Sequence, residues 1–338
     1  MANAVFSPKD FKVFVSEEAT TGTAPDLTST SSVYQLDVDS VSFPSLNVTQ
    51  VTNVRSQNGR VAHIDDFFQD NNIRATEISL SGTFHKDGGH VMLMQSVCSN
   101  ALTPDSIADV TLGANPTATV GKYGVTENNK TFTLVIDSPD NNDAQNVVMK
   151  GCLCTNFSLS ADMGTDGGQY KFSATISSGR VPDLTDNTAV SGTAYDANHI
   201  DMNGIDVSAI KIASKTAPIL SSFGITIDSP AVYTGVAEGS GYSCYGRGEE
   251  IALTANATVK LDSVTMELPA EFDTQGATGH DAADLFTLTQ TTAGDASISI
   301  PCGIMTNVAF NEGDVMMVDV EMKALNKESG NILDIDLT

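Results

Sequence analysis

The stretch RATEISL (Arg74 to Leu80) returns as RGEEIAL (Arg247 to Leu253), 247 − 74 = 173 residues later. A chain that spells nearly one strand twice is constrained to build two related units. The repeat extends in both directions. KTFTLVID (Lys130 to Asp137) matches DLFTLTQT (Asp284 to Thr291) through Phe-Thr-Leu, and GCLCTNFSLS (Gly151 to Ser160) matches CGIMTNVAFN (Cys302 to Asn311) through Thr-Asn. A polar turn and an alternating strand follow each of the latter, QYKFSATISS in one copy and MMVDVEMKA in the other. Upstream, FKVFVS (Phe11 to Ser16) has a weaker counterpart in AIKIAS (Ala209 to Ser214). These matches in one order predict a tandem duplication.

Periodicity predicts what each copy is. In YKFSATI, Tyr170, Phe172, Ala174 and Ile176 share one face, and in VMMVDVEM, Met316, Val318, Val320 and Met322 do the same. Period two is the pattern of antiparallel sheet with one wet face. KDGG (Lys86 to Gly89) and TDGG (Thr165 to Gly168) read as turns that need positive φ. One helix stands out in GHVMLMQSVCS, where Val91, Met94 and Cys98 form a stripe that would cover a sheet face. The fold class expected is mainly β: two tandem β-sandwich or split-barrel domains, the first with a short packed helix. Residues 1–182 form the first domain with an N-terminal arm, 183–205 a linker, and 206–338 a second, shorter domain.

Composition excludes several functions. With 17 Lys and Arg against 42 Asp and Glu, the net charge is −25, which opposes binding to nucleic acid or an anionic membrane. No apolar run approaches the ~20 residues of a membrane span, and the N-terminus does not read as a secretory signal. The five cysteines, Cys98, Cys152, Cys154, Cys244 and Cys302, lack zinc or redox spacing and read as plain buried thiols. No nucleophile elbow or phosphate loop is present, so no catalytic residue and no cofactor is expected. HIDDFFQD invites a metal reading through His63, Asp65, Asp66 and Asp70, but an acidic loop is the simpler account. Trp is absent and aromatics total 6%, which weakens the alternative of a two-domain adhesin or carbohydrate-binding module.

A long connection precedes the repeated strand in both copies, Asn53 to Asn72 in the first and Thr234 to Gly248 in the second. Long loops in compact domains usually carry function. Contact with another protein is expected there, through Arg55, Arg60, His63, Asp65, Asp66, Phe67 and Phe68 in one copy and Tyr242 and Tyr245 in the other. Arg74, Glu77, Arg247 and Glu250 are the repeat-equivalent residues of the strand that follows.

Taken together, the leader FKVFVSEEATTGT, the long loop before RATEISLSGTF, the short helix after it and the closing hairpin GCLCTNFSLSADMGTDGGQYKFSATISSG resemble the tail tube proteins of long-tailed bacteriophages. The resemblance covers nearly the whole chain as a pattern. It departs in the second copy, which is shorter, shows no clear helix and closes its hairpin with a tighter turn. It implies a virion protein, assembled in the host cytoplasm, whose sheets join side by side into rings stacked as a hollow tube. A duplicated chain would form a trimeric ring with pseudo-sixfold symmetry. Tape-measure and tail-end proteins would be its other partners, and DNA would pass through an acidic lumen without specific binding. The long loops would reach the neighbouring ring, and the leader arm, Phe11 to Ser31, would touch an adjacent subunit or the ring below.

Overall fold

The computed structural model describes residues 7–44, 49–52, 67–70, 76–86, 88–100, 102, 110–113, 131–139, 146–186, 189–195, 199–202, 210–217, 219–234, 244–247, 251–275, 285–290, 296–325 and 331–337. Strand makes up 56% of it and helix 11%, so the fold is mainly β, as the alternating periodicity predicts. The first half runs β1 (Lys12–Glu17), β2 (Val33–Leu36), β3 (Val38–Val41), β4 (Thr49–Thr52), β5 (Phe67–Asp70) and β6 (Thr76–Thr83). Helix α1 (Gly88–Val97) follows, then β7 (Val110–Gly113), β8 (Phe132–Asp137), β9 (Asn146–Asp162), β10 (Lys171–Ser178) and β11 (Asp183–Asp186). The second half runs β12 (Lys211–Ile212), β13 (Lys215–Thr216), β14 (Leu220–Asp228), β15 (Ala231–Thr234), β16 (Cys244–Arg247) and β17 (Ala252–Lys260). It ends with helix α2 (Leu268–Thr274), β18 (Phe286–Leu288), β19 (Ser297–Ile300), β20 (Gly303–Asn311), β21 (Met317–Ala324) and β22 (Asn331–Asp336). No helix among the described residues is long and apolar enough to cross a membrane.

The strand ladders repeat. β3, β6, β10 and β9 pair in that order in the first half, and β14, β17, β21 and β20 pair in the same order in the second. β2, β1, β8 and β9 are likewise matched by β13, β12, β18 and β19. Irregularities repeat as well. The shared Thr-Asn marks a β-bulge in each copy, with Thr155 the extra residue opposite β10 and Thr306 the extra residue opposite β21. Asp39 in β3 and Ser221 in β14 are a second matched pair of extra residues.

These bulges correct the register that RATEISL and RGEEIAL suggest. Thr175 lies opposite both Asn156 and Ser79, and Glu321 lies opposite both Asn307 and Asn256. Ser79 therefore corresponds to Asn256, whereas the motif sets it against Ala252, 256 − 252 = 4 residues back. A slip by an even number leaves every side chain on its own face, so alternation cannot detect it. The second copy also has the helix that it was expected to lack, α2, entered through Asp262, whose Oδ1 accepts from Val264 N and Thr265 N at 2.8 and 2.9 Å.

Three further expectations change. Gly88 and Gly89 of KDGG open α1, whereas TDGG is a turn, with Gly167 at φ 64° and Gly168 at φ 81°. Helix α1 is buried from Gly89 to Val97 on all sides, not along one stripe, because it is packed against β1, β2, β7 and β9. The stretch read as a linker contains β11, which pairs with the start of β9.

The leader is not a free arm. β1 lies in the sheet between β2 and β8, and the Thr/Gly-rich residues after it fold back onto the body through Ser191 N to Leu27 O and Thr193 Oγ1 to Thr30 O. Glu18 anchors that return. It is 1% exposed and accepts from Gly151 N and Thr133 Oγ1 at 2.7 Å each, Thr131 Oγ1 at 2.8 Å and Gly22 N at 2.6 Å. Gly151 can donate because it sits at φ 65° in a bulge of β9 opposite β8, a conformation that suits glycine. Replacing Glu18 with Gln puts an amide NH2 against donors that need an acceptor, and buried charged hydrogen bonds contribute about 1.5–3 kcal/mol. Glu18→Gln is expected to lower stability by about that amount, read as a shift in urea midpoint at unchanged m-value; an unchanged midpoint would show that the anchor carries no load.

Candidate assembly interface

β9 is 17 residues long because it serves several partners in succession. Its first part pairs with β8 and β11; its last part has β10 on one side and β14 on the other. β14 belongs to the second copy, so the two copies meet strand against strand inside one 12-stranded sheet. The pairing is regular from Ser222 opposite Asp162 to Asp228 opposite Asn156, and Met163 N to Ser221 O and Ser229 N to Thr155 O extend it at both ends.

Alternation sorts this seam into two faces. Phe223, Ile225 and Ile227 on β14 lie opposite Ala161, Leu159 and Phe157 on β9, and all six are buried. On the other face Gly224 and Thr226 oppose Ser160 and Ser158, with Ser158 Oγ 3.1 Å from Thr226 Oγ1. The apolar face opens into a core that includes residues of both halves. Tyr170 meets Phe223 edge to face at 5.2 Å across the seam, and Phe157 stacks with Phe172 at 6.2 Å. Gln290 Nε2 adds a polar tie across the halves, to Tyr170 Oη at 3.2 Å and the Asp201 carbonyl at 2.7 Å.

The second long connection crosses the same boundary. Its two ends pair as the hairpin β15–β16, and on β15, just before it, Tyr233 Oη donates to Ser177 Oγ at 2.9 Å while Ala231 and Tyr233 pack on Leu153 of the first half. Arg247, at the end of β16, is 5% exposed and reaches into the first half. Its Nη2 donates to the Ser96 and Cys154 carbonyls at 2.7 Å each, and its Nη1 donates to the Ser229 carbonyl. The Ser96 carbonyl belongs to the last turn of α1, where the helix dipole is negative. Three carbonyl dipoles thus hold a cation with no carboxylate among its hydrogen-bond partners in the described residues. Burial pulls the guanidinium below its usual pKa, and it still stays charged.

The thiols around it are inert by the same burial. Cys98 and Cys154 are each pushed up to about 12, chiefly because desolvation disfavours the thiolate, and burial raises Cys152 well above the usual thiol value too. Cys98, Cys152 and Cys154 are buried and unpaired, as plain core thiols. Elsewhere, His85 Nε2 pairs with Asp37 Oδ2 at 2.9 Å and His90 Nε2 accepts from Asp37 N at 3.2 Å, which fixes the β2–β3 corner against α1. Two open surface depressions line the Gly22, Arg180 and Pro182 region and the Thr226, Asn256 and Glu321 region, and neither gathers an acid, a base and a nucleophile among the described residues.

Of the contact residues read from sequence, Arg55, Arg60, His63, Asp65, Asp66 and Tyr242 lie outside the described residues, as do Arg74 and Glu250. Phe67 and Phe68 lie in β5, which pairs with β4, so the first long connection joins the two strands of a hairpin at the position of β15–β16 in the second. Tyr245 lies in β16 opposite Tyr233. Glu77 is exposed on β6. Arg247 is the residue brought to the boundary, and RGEEIAL does not lie in one strand: its arginine ends β16 and β17 begins at Ala252. The seam itself escaped sequence reading. Its signal was the matched alternation of FGITI and NFSLSA, which shows that each is a half-buried strand without naming its partner. No protein-family model matches the chain, and no curated protein matches it.

Two outcomes follow. Arg247→Lys keeps the charge and loses the three-way fork, so amide hydrogen exchange in 231–234 and 244–247 should accelerate while β9 and β14 stay protected, with a stability loss on the order of 2–3 kcal/mol. Equal acceleration in β14 would mean that the clamp and the seam are one unit. Alkylation of the native chain at pH 8 should spare Cys98, Cys152 and Cys154, since a thiol near pKa 12 is ionised on the order of one part in ten thousand; rapid labelling of any of them by mass spectrometry would contradict their burial.

Proposed function

We propose that the chain is the structural subunit of a bacteriophage tail tube, a self-assembling virion protein without catalytic activity. One observation carries the reading: two copies of a β unit are joined edge to edge in one continuous sheet, not strung on a tether. Edge-to-edge addition is how sheets grow into larger closed walls, and closure removes the exposed edges that invite aggregation. A chain that holds two units would complete a ring of six from three copies. The hairpin β15–β16 folding over the other half supports the same reading, because Arg247, in the long connection before the repeated strand, acts as a contact residue in one copy. The matching β4–β5 hairpin, with Phe67 and Phe68, would then reach a neighbouring chain.

The charge fits a conduit. A wall of net charge −25 per chain repels phosphates, so DNA would slide past without being held. The tape-measure protein inside the tube and the proteins at its ends would be the other partners.

Negative-stain electron microscopy of the purified full chain at high concentration tests the proposal. Rings or hollow tubes with averages of six similar lobes from three chains are expected. A monomeric field at every concentration tried would overturn it.

A further inference from the structure

The internal seam states a rule that the ends of the chain can also obey. Among the described residues, β3 pairs with β6 alone, with Pro8–Asp10 lying close to it, and β20 pairs with β21 alone. Gln275 bonds Met305 N and O on β20, and from Asn307 onward no described strand lies on its other side, as none lies on that of β3. β3 stands in the first copy where β14 stands in the second, and β20 stands where the last part of β9 stands in the first. We infer that β20 of one chain receives β3 of a second copy of this chain, antiparallel and in the register of the β9–β14 seam. The inference rests on the self-assembly reading and adds to it the two edges, their direction and the residues that face each other.

The register follows from the matched bulges. Asn156 and Asn307 follow equivalent extra residues, so Leu159 corresponds to Phe310 and Ser160 to Asn311. Asp39 and Ser221 are equivalent extra residues, so Val41 corresponds to Phe223, Ser42 to Gly224 and Phe43 to Ile225. The ladder continues past β3, since Ser42 N donates to Ser79 O at 2.9 Å just as Gly224 pairs with Asn256. In the internal seam Ile225 lies opposite Leu159 and Gly224 opposite Ser160. Between chains the same register sets Phe43 opposite Phe310 and Ser42 opposite Asn311.

Exposure singles out this pair. Ile225 and Leu159 are each 2% exposed, whereas Phe43 is 43% exposed and Phe310 is 50% exposed. Two large aromatic side chains stand in water at the two positions where the internal seam buries its own apolar pair. Phe43 is already held edge to face against Phe11 at 5.1 Å, so its ring is ordered before any partner arrives.

The backbone can accept the partner. N–H groups alternate between the two sides of a strand. Ser42 points its N–H at β6, so the position two residues on, Pro44, has its missing donor on that same side, and Phe43 points its N–H at the open edge. Proline there does not guard the edge against a second chain. The bulges do not block it either, because β9 and β14 carry the equivalent bulges against their own neighbours and pair regularly with each other. The pairing is head to tail, so each added chain leaves the same two edges open until a ring closes.

Disulfide trapping in the full chain tests the register. Gly224 and Ser160 form a non-hydrogen-bonded pair, since the bonded pairs fall at Ser221 with Met163 and Ser229 with Thr155 and alternate between them. Cα atoms in such pairs lie about 4.5 Å apart, within disulfide reach. Oxidised Ser42→Cys/Asn311→Cys should run on non-reducing gels as species of two and three chain masses, and each single variant should stay at one. Pro44→Cys/Ala309→Cys, the next pair of the same kind, should behave alike and covers the loss of the Ser42 hydroxyl, which hydrogen-bonds Ser79. Phe310→Asp should abolish assembled species in sedimentation while leaving the melting temperature of the monomer unchanged. Assembled particles that neither cysteine pair can link would overturn the seam and leave self-assembly standing. Linking by Ser42→Cys alone would mean a two-fold contact and overturn the head-to-tail direction. Absence of any assembled species from the unsubstituted chain would remove the self-assembly reading itself, and the seam with it.

Discussion

Everything distinctive about this molecule depends on the ladder between β9 and β14. A tandem duplication usually yields two bodies on a linker, each burying its own core. Here the second copy docks its first long strand on the free edge of the first, and the cores merge through Phe157, Leu159, Phe223 and Ile225. Breaking that ladder would expose two strand edges and an apolar face at once. Arg247 and Tyr233 then pin the following hairpin onto β9, β10 and the end of α1, so the contact is made twice, once by backbone and once by side chains.

The two copies share strand order and differ where their surroundings differ. Lys150 and Gly151 form a bulge that lets β9 run on unbroken past Glu18. The matching positions are Pro301 and Cys302, and there the strand is broken into β19 and β20, because proline cannot donate to a ladder. Helix α1 is enclosed on all sides, with His90, Gln95 and Ser96 buried along with its apolar residues, whereas α2 buries Leu268 and leaves Phe272 37% exposed. Lys215 holds α2 through Glu267 and Glu271 at 2.7 and 3.0 Å, a surface tie that adds little to stability.

These differences explain what could be read in advance. Period-two alternation revealed β6, β10 and β21, each of which turns one face to the core and the other outward over most of its length. The Thr-Asn match was legible as a repeat, and its physical meaning, a bulge at the same point of two ladders, emerged from pairing. The motif match at Arg74 and Arg247 misplaced the register by four residues because only parity is written in the alternation. Helix α2 was missed because a short amphipathic turn with one buried residue has no period to detect. Which strand pairs with which is a long-range property, so β9 and β14 could each be seen and their partnership could not.

Charge decides where such a chain can touch another. Copies of net charge −25 repel one another at short range, and at physiological salt that repulsion is screened beyond about 8 Å. A contact therefore has to be apolar or backbone-made over its whole centre. The internal seam satisfies this: from Phe157 to Ala161 and from Ser222 to Ile227 there is no charged residue, and its acids, Asp162 and Asp228, sit at the two ends. The edges of β3 and β20 repeat the apolar pair with Phe43 and Phe310 and keep Asp39 at the flank, but Glu312 stands where the internal seam has Ala161, opposite Val41. Repulsion over the rest of the surface then discourages every other approach, so the acidic composition that excludes nucleic acid also directs two copies to the one kind of edge at which they can meet.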